Sequence, residues 1–251
     1  MRASFDDRTA LVTGAAQGIG QAIALGLSAA GARVHVADID AEGVQRFAAA
    51  NQMIPHVLDV GDRAAAHTVI EQVVILDERL DILINAAGGV RGQVGRPIED
   101  IAEADWHAIF RANVDGAFWL SQAASWPMRR ARYGRIVNIA SGAGLRPSLA
   151  GIQAYTAAKH ALVGLTKQLS QDLGPLGITA NAVGPGFVRS NPATERQWES
   201  YGPEGQKRLI ENTHTRRPGT PADIANAVLF FASEQSSWVS GQILLVDGGR
   251  S

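Results

Sequence analysis

Thr9-Ala10-Leu11-Val12-Thr13-Gly14-Ala15-Ala16-Gln17-Gly18-Ile19-Gly20 decides the fold. Its first five residues read as a short buried strand. The glycines then break the strand, and residues 19–30 follow with the pattern of a helix that stops before Gly31. Glycines at such a turn let the backbone bend tightly and approach a phosphate closely. The start of the helix adds unpaired N–H groups and positive potential. The spacing is G-x-x-x-G-x-G rather than the commoner G-x-G-x-x-G. As punctuation alone the turn could be structural; between the first strand and the first helix of an α/β pattern it predicts nucleotide binding.

The rhythm continues outward from this unit. Strands are expected over 32–37, 54–58, 80–85, 135–140, 178–183 and 242–246. Helices are expected over 41–50, 62–76, 105–132, 153–173 and 221–233, with Asp62 and Thr220 as N-caps. Pro127 predicts a kink or break in the fourth of these helices counted from residue 19. Strands that alternate with helices return parallel, and their unbroken apolar runs fit a sheet covered on both faces. The expected fold is a single-domain α/β, Rossmann-type doubly wound sheet of about seven parallel strands. No linker divides it. Residues 186–217 fit the rhythm worst and read as a helical flap that covers the substrate.

Bulk composition narrows the function. Of the 251 residues 46% are hydrophobic and 19% charged, an ordinary globular balance. The net charge of -1 gives no field that would gather nucleic acid or an anionic membrane. Absence of cysteine removes disulfides, thiolate catalysis and Cys-ligated metal, and fits a reducing cytoplasm. The six histidines show no metal-binding spacing, so no metal is expected. The start carries acids and no apolar run, unlike a signal peptide. No stretch approaches the roughly 18 apolar residues of a membrane span.

Tyr155 and Lys159 stand four apart in Tyr155-Thr156-Ala157-Ala158-Lys159, fourteen residues after Ser141. On a helix that spacing puts both side chains on one face. A phenol with an ordinary pKa of about 10 is a poor base, and an adjacent ammonium favours its anion. The pair predicts proton exchange with an alcohol or carbonyl oxygen, which Ser141 would hold by a hydrogen bond. Asp38 closes the second strand, 24 residues after Gly14. An acid there accepts the ribose hydroxyls of NAD and repels the 2′-phosphate of NADP, which predicts NAD. The plainer alternative is that Asp38 caps the next helix. Asn113 could bond backbone within a helix and Ser141 could be a turn residue; those alternatives stand at this point.

Together these motifs resemble the short-chain dehydrogenase/reductase family, in its compact one-domain branch, over nearly the whole chain. Residues 13–20 look like T-G-x-x-x-G-x-G. Asp59-Val60 resembles the pair beside the adenine ring. Asn85-Ala86-Ala87-Gly88 resembles N-N-A-G with Ala86 in place of the second asparagine. Asn181-Ala182-Val183-Gly184-Pro185-Gly186 resembles N-x-V-x-P-G, and Ser190 stands where many members have Thr. Arg217-Pro218-Gly219-Thr220-Pro221 and Val246-Asp247-Gly248-Gly249 resemble the C-terminal motifs.

The resemblance implies a catalytic tetrad of Asn113, Ser141, Tyr155 and Lys159. Asn113 would hold a water leading from Lys159. It also implies a cofactor site drawn from Gly14, Gln17, Gly18, Ile19, Gly20, Asp38, Ile39, Asp59, Val60, Asn85, Ala86, Gly88, Tyr155, Lys159, Pro185, Gly186, Val188 and Ser190. Hydride would pass between the nicotinamide and a secondary carbinol. The family's common homotetramer is implied as well, with residues 114–126 and 243–249 as interface candidates that could equally be core.

The expected rim, residues 89–97, 142–153 and the flap, is rich in arginine and amides. That favours a polar substrate such as a sugar or sugar acid, with Arg146, Gln153, Ser141 and Tyr155 binding it. A 3-oxoacyl thioester reductase is the alternative enzyme. A catalytically silent NAD-binding regulatory or scaffold protein is the alternative outside enzymes.

Overall fold

The computed structural model describes residues 4–148 and 151–249. Residues 1–3, 149–150 and 250–251, on which parts of the N-terminal and rim readings fall, lie outside the described residues. Seven parallel strands form one sheet in the order β3-β2-β1-β4-β5-β6-β7. They are β1 (Thr9–Thr13), β2 (Arg33–Asp38), β3 (Ile54–Val57), β4 (Ile82–Asn85), β5 (Gly134–Ile139), β6 (Ile178–Pro185) and β7 (Ile243–Val246). The chain builds outward from β1 to β3, then returns to the other side of β1 with β4. The carboxyl ends of β1 and β4 therefore flank a crevice, the place where open α/β sheets take ligands.

Alternation along the central strands divides the core in two. Ala10 and Val12 of β1 and Ile82 and Ile84 of β4 face one side. There they pack with α1 (Gly18–Ala29), α2 (Ala41–Asn51) and α9 (Pro221–Ala232), through Ile23, Leu27, Val44, Phe47, Ile224 and Phe231. Leu11 and Leu83 face the other side, against Val69, Ile70 and Val73 of α3 (Arg63–Asp77) and Leu120, Ala124 and Met128 of α5 (Gly116–Ala131). Burial on both faces is why the strands read as unbroken apolar runs. Leu120 is thus core, whereas Phe118 and Trp126 of the same helix are exposed.

Caps set the helix starts. Asp62 accepts from Ala65 N at 3.1 Å, and Thr220 forms a reciprocal capping box with Asp223. The single long helix expected over 105–132 begins at Glu103 as α4 (Glu103–Phe110), passes through one π turn (Arg111–Asp115) and continues as α5. Its irregularity falls at Asn113, not at Pro127, and α5 runs through the buried proline. Pro127 removes only the donor to the Ala123 carbonyl, one turn before the helix ends. The worst-fitting stretch folds as two short helices, α7 (Pro192–Ser200) and α8 (Gly202–Glu211). No helix among the described residues is long and apolar enough to cross a membrane.

Candidate active site

Thr13 fixes the floor of the crevice. Its hydroxyl accepts from Ala86 N and Ala87 N, both at 3.1 Å, and lies 3.3 Å from the Ile84 carbonyl oxygen. This ties the turn after β1 to the end of β4. Gly14 lies so close that a Cβ there would stand 2.8 Å from Ala87 N. Gly18 has φ +63, and a Cβ would stand 2.8 Å from the Ser190 carbonyl oxygen. The start of α1 has no capping side chain and no acid in its first turn. A dinucleotide phosphate fits the start of α1, which offers unclaimed N–H groups, no opposing charge and a turn whose glycines put no side chain in the way.

Asp38 does not cap the next helix. Asp40 does, accepting from Gly43 N at 3.0 Å. Asp38 instead accepts Ala16 N and Asp40 N, each at 3.0 Å, one on each carboxylate oxygen. Asp38 thus reaches across to the glycine turn and leaves outward lone pairs for a sugar hydroxyl. Ile39 beside it is exposed. Asp59 lies further along the same rim, paired with Arg111 at 3.1 Å, and Val60 is buried under it. Gln17 is exposed and Ile19 half-buried at the mouth of α1.

At the other end of the crevice, α6 (Gln153–Leu173) carries Tyr155 and Lys159. The Lys159 ammonium lies 5.6 Å from the centre of the Tyr155 ring and donates to the Ile139 carbonyl at 2.8 Å. Ser141 follows β5 and caps the turn Gly142–Gly144, its hydroxyl accepting from Ala143 N at 3.1 Å. Burial lowers the Lys159 pKa to about 7. Burial raises that of Tyr155, and hydrogen bonding from Ser141 only partly offsets the rise. The chain's own groups therefore favour a neutral phenol. Burial is the larger influence on Tyr155 and opposes the acidification expected from its spacing with Lys159.

Asn113 sits in the π turn and is wholly engaged with backbone. Its carbonyl accepts Gly89 N at 3.0 Å, and its amide donates to Gly89 O at 2.9 Å and Ile109 O at 2.8 Å. A Cβ on Gly88 would collide with it. Asn113 therefore ties the loop after β4 to the helix, with both amide hydrogens taken by backbone carbonyls and one lone pair of its oxygen by Gly89 N. Asn85 points inward, donating to Asn138 at 2.8 Å; Asn138 donates to Thr166 at 2.9 Å. This buried chain joins β4, β5 and α6 beneath the site. Only Asn85 of its members was expected.

The flap starts at Pro185 and Gly186. Val188 is buried and bridges Gly219. Ser190 is held by the Asn191–Thr194 capping box, its N–H donating to Thr194 at 2.9 Å. Phe187 stacks with Trp198 (5.8 Å between ring centres) and lies 5.6 Å from Tyr201. Arg146 is paired with Asp247 at 2.7 Å, and Gln153 donates to the Arg96 carbonyl at 3.0 Å. Both side chains expected at the substrate thus have partners within the chain. A cavity of about 680 Å³, lined by Leu145, Arg146, Thr156, Ala157 and His160 among others, opens on the side of α6 turned away from the phenol.

The chain is similar to known proteins over nearly its whole length. Residues 14–251 match a family model described as "Enoyl-(Acyl carrier protein) reductase". The chain is 38% identical to (2S)-[(R)-hydroxy(phenyl)methyl]succinyl-CoA dehydrogenase subunit BbsD of Thauera aromatica, with 98% of each chain covered. It is 36% identical to D-threitol dehydrogenase of Mycolicibacterium smegmatis, over 98% of this chain and 93% of that one. The crystal structure of levodione reductase superposes with a TM-score of 0.91 at 30% identity, covering 98% of both chains. The protein belongs to the short-chain dehydrogenase/reductase family and is an oxidoreductase that uses a nicotinamide cofactor.

Proposed function

We propose that the protein is an NAD-dependent dehydrogenase/reductase acting on a secondary alcohol or ketone, within a one-domain fold whose flap, residues 186–217, covers the substrate. One observation carries this reading. Ser141, Tyr155 and Lys159 converge at the end of the crevice that begins at the uncapped start of α1 and at Asp38. When bound, the nicotinamide supplies the hydride acceptor or donor. Tyr155 exchanges the proton of the substrate oxygen and Ser141 holds that oxygen. Lys159, fixed by Ile139, sits beneath the phenol where it can hydrogen-bond a ribose hydroxyl. Asp38 selects the unphosphorylated ribose. Added positive charge in the crevice would favour the phenolate that burial alone disfavours.

The substrate favoured is polar and hydroxylated, a sugar, sugar acid or other polyol, consistent with the threitol dehydrogenase relative. An acid would have to compete with Asp247 for Arg146. A thioester substrate is the second reading. It is favoured by Phe187, Trp198 and Tyr201 clustered at the flap and by the CoA thioester in the name of the Thauera relative. The same reading includes a homotetramer in the cytoplasm, which light scattering tests for stoichiometry.

The deciding experiment follows NAD⁺ reduction over polyols, sugar acids, simple secondary alcohols and 3-hydroxyacyl thioesters, with wild type and Tyr155→Phe side by side. Turnover by wild type, abolished in Tyr155→Phe while NAD still binds, supports the proposal. No turnover across the whole panel despite tight NAD binding returns the silent scaffold. Substantial activity in Tyr155→Phe removes the role given to the phenol.

A further inference from the structure

Arg146 and Asp247 stand 101 residues apart in sequence and 2.7 Å apart in space. Asp247 follows β7, and its side chain is only 8% exposed. One of its carboxylate oxygens accepts from Gly249 N at 3.0 Å; the other accepts from Arg146. Two glycines make room for the pair. A Cβ on Gly142 would stand 3.4 Å from Arg146 Nη2, so the guanidinium lies on the residue directly after Ser141. A Cβ on Gly186 would stand 2.6 Å from the Asp247 Cβ, so the acid lies on the residue directly after Pro185. Gly186 N in turn donates to Val246 O at 3.0 Å. Beside them, a Cβ on Gly184 would stand 3.3 Å from the Ser141 carbonyl carbon.

The ion pair therefore spans two loops with different duties. One presents Ser141, which holds the substrate oxygen in the proposed reaction. The other, Pro185-Gly186, begins the flap at the nicotinamide end of the crevice. We propose that Arg146 and Asp247 are positioning residues: their bridge sets the separation of the Ser141 turn from the Pro185-Gly186 loop, and so the alignment of the carbinol with the nicotinamide. The role rests on the hydride-transfer reading above. A charge-assisted hydrogen bond on a mostly buried acid is directional and short, which suits it to fixing a distance. Misplacement of reacting groups by an ångström costs on the order of 100-fold in rate.

The test uses Arg146→Gln, Asp247→Asn, the double variant, and Arg146→Lys. Asp247→Asn can keep an acceptor oxygen for Gly249 N while presenting an NH2 donor to Arg146, which removes the bridge. Expected for each neutral variant is a fall in kcat of about 10- to 100-fold with little change in KM, and a larger deuterium isotope effect on kcat from carbinol-deuterated substrate. Arg146→Lys should recover part of the loss. The double variant should be no slower than the worse single, because both remove one bridge. Emission of bound NADH, read without any substrate, should change in both single variants. Additive losses, or wild-type kcat, isotope effect and NADH emission in variants that fold, overturn the proposal. If the neutral variants do not fold, Arg146→Lys decides by the same readouts. Failure of the functional reading looks different: wild type itself turns over nothing, and the NADH emission still reports on the bridge.

Discussion

The carboxylate of Asp38 accepts the backbone N–H of Ala16 at 3.0 Å. The acid that would read the ribose therefore also holds the turn that would hold the pyrophosphate. Asp38→Ala should do two things at once. Discrimination between NAD and NADP in kcat/KM should fall by at least 10-fold, because the charge that repels a 2′-phosphate is gone. Stability should fall by roughly 1 kcal/mol, because Ala16 N and Asp40 N lose their acceptors. Urea denaturation and paired initial rates with the two cofactors check both. A wild type that already prefers NADP would remove the selective role.

Gly18 touches the flap through the Ser190 carbonyl. An alanine there meets two penalties: a left-handed backbone at φ +63, costing about 1–2 kcal/mol, and a Cβ 2.8 Å from that oxygen. Gly92 offers the control, with φ +79 and nothing within 4 Å of a Cβ. Gly18→Ala should weaken NAD binding by about 10-fold while Gly92→Ala leaves it unchanged. Isothermal titration of the two variants distinguishes collision from strain.

The sequence was most legible where local chemistry decides. Strands buried on both faces could only be apolar runs, and Asp62 and Thr220 advertised their helix starts. Three things were illegible because they depend on which distant segments meet. Arg146 meets Asp247 only once β7 lies beside β6. Asn138 and Thr166 join Asn85 only once β5 lies beside β4 and α6 packs over it. The π turn at 111–115 answers to the loop at Gly88-Gly89, which Asn113 binds; nothing in the helix pattern itself marks it. Pro127 misled for the opposite reason, since a local rule was outweighed by a packed helix end.

Lys159 has its pKa lowered to about 7 by burial, against 10.5 for an ordinary lysine. Between those values the unfolded chain carries a proton on this amine that the folded chain does not. Unfolding therefore binds a proton there, and stability from this group rises as pH rises from about 7 towards 10. The cost of burying the charged form is complete below pH 7. Lys159→Met removes the group: its unfolding free energy should lack this part of the slope, exceed wild type most at or below neutrality, and converge with it in alkali. Denaturant midpoints of both proteins across pH 6 to about 10 check the difference. Turnover by the variant should fall by at least 100-fold, since the amine placed beside the phenol to hydrogen-bond the nicotinamide ribose is gone.

His35 and His56 form a buried pair on β2 and β3, far from the reacting groups along the sheet. His35 Nδ1 lies 2.9 Å from His56 Nε2, so one proton is shared between them. His35 Nε2 faces Asp77 at 3.0 Å, which also takes Thr9 at 3.1 Å. Arg33 Nε lies 2.6 Å from the remaining Asp77 oxygen, off the line of its N–H, so the contact is an ion pair without an aligned hydrogen bond. His56 Nδ1 faces Gln72 at 3.1 Å. Burial lowers both imidazoles below their ordinary 6.5, against Asp77 for His35 and against the Gln72 hydrogen bond for His56. As pH falls through 6.5 the unfolded chain takes up protons that the folded pair resists, and stability drops. A second proton would also place two like charges across the shared bond. His56→Gln keeps a polar group beside His35 and Gln72 but cannot titrate, so its stability should decline less steeply between pH 6.5 and about 5. Equal acid slopes for variant and wild type would assign the acid limb to other groups.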